Sequence, residues 1–102
     1  MIRIYKISKD QYKNAKKVLE ADPYEKKSFP SVGYKLREAK SFGKNFDGHY
    51  VYLSSDEETV KYLDEKIKEF STILEGEEFE EIKKAFEKEE EEAQQGFGNL
   101  FG

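Results

Sequence analysis

Apolar and polar residues alternate along three segments of the chain, and a period of two is typical of a β-strand. The segments with this pattern are residues 2–7, 32–42 and 49–53. The third is the clearest, because Val51 and Leu53 point to one side of the strand while Tyr50 and Tyr52 point to the other. In residues 32–42 the same pattern also allows a short helix. The sequence therefore predicts a small sheet of at least three strands.

Apolar residues spaced three and four positions apart predict amphipathic helices between these strands. Ser8 and Gln11 form a capping box that starts the first helix, which ends before Pro23. Ser55 and Glu58 form a second capping box. The apolar stripe of the helix that follows consists of Val60, Leu63, Ile67, Phe70 and Leu74. We expect each of these helices to pack one face against the sheet.

The part of the chain after the second helix leaves the strand number open. Residues 71–75 are either the end of that helix or a fourth strand, and a last helix begins near Glu78. The order predicts an α+β fold, with an antiparallel sheet of three or four strands, two helices on one face and a C-terminal helix. With the fourth strand, this order resembles the ferredoxin-like βαββαβ pattern, and without it an open sheet edge favours a homodimer. We expect an α+β domain over residues 1–86, followed by an acidic helix end and an apolar Gly- and Phe-containing tail over residues 87–102.

The composition excludes several classes of site. The chain has 102 residues, no Cys and one His. It therefore offers no disulfide, no thiolate zinc site, no Cys nucleophile and no centre with several His ligands. The single imidazole, His49, lies beside Asp47 and near Ser54, but neighbouring strand positions point apart, so we expect no catalytic triad. These residues predict a protein that is not an enzyme and needs no metal or cofactor.

Hydropathy predicts a cytoplasmic protein without a membrane segment. No apolar run approaches the roughly 20 residues that a membrane helix needs, and no apolar signal core follows Met1. Charged residues make up 39% of the chain, with many Lys and Glu, which is typical of proteins from thermophiles. In this respect the chain resembles the small uncharacterised proteins of about 100 residues found in hyperthermophilic archaea, a resemblance that implies no activity.

Charge is distributed unevenly along the chain. Residues 1–50 carry 12 Lys and Arg against 6 Asp and Glu, whereas residues 51–102 carry 6 Lys against 16 Asp and Glu. Such polarity indicates either a basic functional face with an acidic appendage or two halves that attract each other. A surface rich in ion pairs would show the same composition.

One predicted sheet face combines aromatic and basic residues. We expect the helices to cover the face that bears Ile4, Leu36, Val51 and Leu53. The opposite face would then carry Arg3, Tyr5, Lys35, Arg37, Tyr50 and Tyr52. This face resembles that of an RNA-recognition motif, on the evidence of residues 4–7 and of the aromatic residues in 48–53, and the resemblance implies stacking on single-stranded nucleic acid. An ordinary sheet face or a dimer interface would have similar residues.

The last nine residues carry large apolar side chains beyond the final helical period. Gln94 is followed by Phe97, Leu100 and Phe101 at a spacing that resembles the interaction peptide of sliding clamps (PCNA), the PIP-box. The resemblance implies that Gln94 enters a polar pocket and that the other three fill a hydrophobic one. Phe97 and Leu100 differ from the usual residue types at these places. The alternatives are another protein partner or packing of the tail on its own domain. We therefore predict a non-enzymatic module that binds a protein partner through this tail, with single-stranded nucleic-acid binding as the alternative.

Overall fold

A computed structural model of the chain describes residues 1–92 with their side chains. The strands are β1 (Ile2–Ser8), β2 (Lys35–Glu38), β3 (Gly48–Ser54) and β4 (Thr72–Ile73). The helices are α1 (Lys9–Glu20), α2 (Phe29–Val32), α3 (Glu57–Ile67) and α4 (Gly76–Phe101), with 3₁₀ turns at Ala39–Phe42 and Lys68–Phe70. The side chains of α4 beyond Glu92, and Gly102, lie outside the described part of the chain.

The four strands form one sheet in the order β2-β3-β1-β4, with antiparallel neighbours throughout. The predicted α+β class is confirmed, and the element order together with the strand order is that of the ferredoxin-like arrangement. The open point at residues 71–75 is decided in favour of a strand, because Ile73 pairs with Tyr5 and Thr72 with Lys6. β1 is therefore an interior strand with a partner on each side.

Two apolar clusters cover the two faces of this sheet. On the first face, α1 and α3 pack against the strands, and Leu19 and Leu63 meet Val51 there. On the second face, α4 supplies Ile82 and Phe86. The described chain thus forms three layers, with the sheet in the middle. α4 crosses the predicted boundary at residue 86 without a break.

Local sequence signals account for most element ends, with three corrections. Ser8 directly precedes α1, but its side chain makes no capping hydrogen bond to the helix backbone and donates to Gln11 Oε1 at 3.1 Å instead. α1 ends at Glu20, as the following Pro requires. The cap of α3 is Asp56 rather than Ser55, because Oδ2 of Asp56 accepts a hydrogen bond of 3.0 Å from the Thr59 backbone N–H. The long strand expected over residues 32–42 shortens to β2, and a 3₁₀ turn follows it. That turn ends at Gly43 with φ of 75°, a left-handed conformation that glycine adopts without strain.

Candidate functional site

The residues predicted to form one aromatic and basic sheet face are divided between two faces. Lys35, Arg37, Tyr50 and Tyr52 share the second face, as expected from the alternation in β2 and β3. Arg3 and Tyr5 lie on the first face, because Arg3 pairs with Leu53 and Tyr5 with Val51, and directly paired residues point to the same side of a sheet. The expected placement of Ile4 was wrong for the same reason, since it pairs with Tyr52.

α4 covers the second face, where the four predicted residues of β2 and β3 lie. The Phe86 ring lies 5.3 Å from that of Tyr52 and 4.9 Å from that of Phe42, and Tyr50 is 0% exposed. Tyr50 is enclosed further by Phe46, whose ring packs edge-on at 5.5 Å. The aromatic residues that would stack on bases are thus occupied by this chain's own side chains.

The basic residues of the same face are paired with the acidic part of α4. Lys35 Nζ lies 2.8 Å from Glu90 Oε2, and Arg37 Nε lies 2.6 Å from Glu89 Oε1. The basic first half and the acidic second half of the chain therefore attract each other at this place, which was one of the two interpretations of the charge asymmetry. Glu89 and Glu90 of the acidic run thus contact strand β2, while the buried contacts of α4 with the sheet come from Ile82 and Phe86.

Arg3 and Tyr5 take part in a polar network with α3. Arg3 Nε and Nη2 donate to the two carboxylate oxygens of Asp64 at 3.0 and 2.8 Å, and the Tyr5 hydroxyl donates to Oδ1 at 2.6 Å. Burial, followed by the hydrogen bond to Asp64, raises the pKa of Tyr5 strongly. This network fixes α3 on the sheet, and its donors are directed at Asp64.

The residues of the predicted protein-binding tail, Gln94, Phe97, Leu100 and Phe101, lie outside the part of the chain whose side chains the structure describes. The last ion pair that the structure describes on α4 is that of Glu90 with Lys35. This pair places Glu90, four positions before Gln94, next to the edge strand β2.

A cleft of about 220 Å³ lies between the start of α1 and the turn that joins β2 to β3. Its lining residues are Lys9, Tyr12, Glu38, Lys40, Asp47, Gly48 and His49. The rings of Tyr12 and His49 stack at 4.0 Å with an angle of 12° between their planes. We call this the Tyr12–His49 cleft. Tyr12 also packs against the core of the first face, so its ring joins the cleft to that core.

The cleft combines a neutral imidazole with paired charges. Burial lowers the pKa of His49, and the nearby carboxylate of Glu38 opposes that shift. Nδ1 of His49 is buried and has no hydrogen-bond partner among residues 1–92. Asp47 lies 2.9 Å from Lys40, and this pairing lowers the pKa of Asp47. The arrangement places a flat aromatic surface beside lysine charge.

Two further features bear on the function classes. Within the described residues, no group of three or more His, Asp and Glu side chains is placed to hold a metal ion. No helix in this part of the chain has the length and apolar character needed to cross a bilayer.

One feature of the cleft is visible in the sequence, although it is not part of the apolar periodicity that predicts strands and helices. Lys9, Lys13, Lys16 and Lys17 recur every three to four residues around Tyr12, so that one face of α1 is basic. The turn that brings Lys40 and His49 to this helix is a tertiary feature, and helical periodicity gives no information about it.

Comparison with protein-family models, with curated proteins and with solved structures finds no match for this chain.

Proposed function

We propose that this protein is a non-enzymatic interaction module that binds a protein partner through its C-terminal segment. The observation that carries the proposal is the attachment of α4 to the sheet. Phe86 is 1% exposed between Phe42 and Tyr52, and Glu90 pairs with Lys35 on the edge strand. α4 continues from this attachment to Phe101, so its C-terminal segment is presented from a defined point of the domain.

The apolar clusters of the described residues support a partner for this segment. Both sheet faces are covered by side chains that precede residue 87, and Ile82 and Phe86 fill the second face. Three large apolar residues follow at Phe97, Leu100 and Phe101. Apolar side chains beyond a filled core favour contact with another molecule, because leaving them in water is unfavourable.

The composition of the segment favours one kind of partner surface. Gln94 supplies an amide that can donate and accept hydrogen bonds, and the three apolar residues follow within seven positions. A hydrophobic groove beside a polar pocket matches this order, as in the sliding-clamp resemblance. The proposed partner is therefore a protein with such a groove, and a sliding clamp is the probe of choice.

The test is calorimetric titration of the full chain with a purified sliding clamp. The triple substitution Phe97→Ala, Leu100→Ala and Phe101→Ala should abolish binding and leave the urea midpoint unchanged. Tyr24→Ala is the matched control, because Tyr24 is 99% exposed and its loss removes an aromatic side chain elsewhere on the surface. The proposal is overturned if the native chain does not bind the clamp. It is equally overturned if the triple substitution lowers stability by several kcal/mol, because the tail would then pack on its own domain.

A further inference from the structure

A second surface of this protein has the chemistry of a nucleic-acid site, and it lies on α1 rather than on the sheet. A groove of about 380 Å³ runs along α1 and is lined by Tyr12, Lys13, Lys16, Lys17 and Glu20. Tyr12 also lines the Tyr12–His49 cleft, so the two depressions meet at one aromatic ring. We propose that the α1 groove and the Tyr12–His49 cleft together bind single-stranded nucleic acid.

Charge is the first argument. Five lysines line the combined surface against three carboxylates, although the whole chain has a net charge of −4. Among the described residues, no carboxylate lies within ion-pair distance of Lys9, Lys13 or Lys17. These ammonium groups are exposed and can neutralise phosphates, which releases counterions and gives most of the affinity in non-specific binding.

Spacing is the second argument. Lys9, Lys13 and Lys17 lie one helical turn apart on one face of α1, so the row extends for roughly 12 Å along the helix axis. Successive nucleotides of a stacked strand advance by about 3.4 Å, so this row can meet more than one phosphate of the same strand. A row of this length favours an oligonucleotide over a single nucleotide.

The aromatic pair is the third argument. Tyr12 and His49 form a stack at 4.0 Å, and both side chains are partly exposed. Burial keeps the imidazole neutral by lowering the pKa of His49, and a neutral flat ring is a suitable platform for a base. Single-stranded nucleic acid is recognised by aromatic stacking next to a basic groove, and both are present here. An acidic peptide would use the lysines but would not need the ring pair.

The site differs from the sheet face that the alternation in the sequence predicted. There, Glu89 and Glu90 of the chain itself already pair with Arg37 and Lys35. On the α1 surface, Glu20 lies 3.9 Å from Lys16 and Asp47 pairs with Lys40, while Glu38 also lines the cleft and Asp10 lies in the first turn of α1. Lys9, Lys13 and Lys17 form no ion pair with a described carboxylate, unlike Lys35 and Arg37 on the sheet.

The experiment is fluorescence anisotropy with a labelled oligothymidylate of about 20 nucleotides, titrated with the full chain at 50 and 200 mM NaCl. We expect a dissociation constant in the micromolar range at the lower salt concentration and weaker binding at the higher one. Substituting Lys9, Lys13 and Lys17 by Gln should weaken binding at least tenfold and reduce the salt slope by about 2, since each phosphate contact contributes about 0.7 for a single strand. The matched control substitutes Lys61, Lys68 and Lys84 by Gln, which changes the net charge equally, and it should change the affinity less than twofold.

Two further arms separate the ring from the charge. Tyr12→Phe keeps the platform and should bind within twofold of the native chain, whereas Tyr12→Leu should bind about tenfold more weakly. The inference is overturned if the native chain does not bind the oligonucleotide at 50 mM NaCl, or if both triple lysine variants lose the same affinity. It also fails if polyglutamate of equal charge competes as well as unlabelled oligothymidylate, because the surface would then bind polyanions without regard to bases.

Discussion

Tyr5 and Tyr50 are both fully buried, and they differ in the environment of the hydroxyl group. The Tyr5 hydroxyl donates to Asp64 Oδ1 at 2.6 Å. For the Tyr50 hydroxyl, residues 1–92 supply no partner, although the side chain is 0% exposed, as that of Tyr5 is. Replacing each tyrosine by Phe removes the same atom from two buried positions. The two substitutions should therefore change the free energy of unfolding in different directions.

The expected change in the free energy of unfolding depends on the hydrogen-bond partner of each hydroxyl. Tyr5→Phe removes a hydrogen bond to a carboxylate, and we expect a loss of about 1.5–3 kcal/mol, because bonds to charged groups are the stronger ones. Tyr50→Phe removes a buried polar group without a partner, whose desolvation costs about 1–3 kcal/mol. Lost packing of the hydroxyl oxygen offsets part of that gain. We expect the Tyr50→Phe variant to be as stable as the native chain or up to about 1 kcal/mol more stable.

Urea unfolding followed by circular dichroism at pH 7 measures both values, provided that the slope with urea stays constant across the variants. Tyr24→Phe is the control, because that side chain is 99% exposed, and its change should stay within about 0.5 kcal/mol. A loss of stability in Tyr50→Phe as large as that in Tyr5→Phe would refute the reasoning. It would show that the hydroxyl of Tyr50 makes a hydrogen bond that stabilises the fold.

Three further predictions concern the same core. The free energy of unfolding should fall as the pH rises above about 10, by about 1.4 kcal/mol per pH unit for each of the two buried tyrosines. The reason is that burial raises the pKa of both tyrosines in the folded chain, that of Tyr50 to about 12, while the unfolded chain ionises normally. Urea midpoints between pH 9 and 11 test this, and a flat profile would contradict it. Phe86→Ala should lower the free energy of unfolding by about 3–5 kcal/mol, because it opens a cavity between α4 and the sheet. Glu91→Ala is the control and should be neutral, because Glu91 is exposed. Equal urea midpoints for the two variants would contradict the packing of α4. Gly48→Ala should lower the free energy of unfolding by about 1–3 kcal/mol, since the added Cβ would collide with the backbone oxygen of Ile7 in the neighbouring strand. An unchanged urea midpoint would mean that the two strands can move apart there without loss of stability.

The sequence predicts the elements of this fold better than the faces of its strands. β3 alternates between aliphatic and aromatic residues, and its two sides were assigned correctly. β1 was assigned to the wrong side because Ile4, Tyr5 and Ile7 are all apolar, so the strand shows no single polar face. The physical reason is that an interior strand buried on both faces needs apolar residues at odd and even positions. The pairing of Tyr5 with Val51 decides which residues of β1 point to each face of the sheet. The sequence of β1 alone does not reveal this pairing.

The candidate sites show the same limit. The charge asymmetry allowed either a basic functional face or an attraction between the two halves of the chain, and Lys35 and Arg37 do pair with α4. It did not show that this pairing would cover the aromatic residues of the same face. The Tyr12–His49 cleft depends on bringing α1 next to the β2–β3 turn, and Tyr12 and His49 are 37 positions apart in the sequence. Helical and strand periodicity describes one element at a time, so it does not predict contacts between elements that are distant in the sequence.

The three-layer order has a consequence for biosynthesis. All four strands precede α4 in the chain, so a ribosome releases the complete sheet before the helix that covers its second face. Until then, Ile4 and Tyr50 of the nascent chain are exposed to solvent on that side. Since domains begin to fold during translation, the nascent chain presents a hydrophobic surface until α4 has left the ribosome and packed on the sheet. Chaperones can bind that surface, and other unfolded chains can aggregate through it.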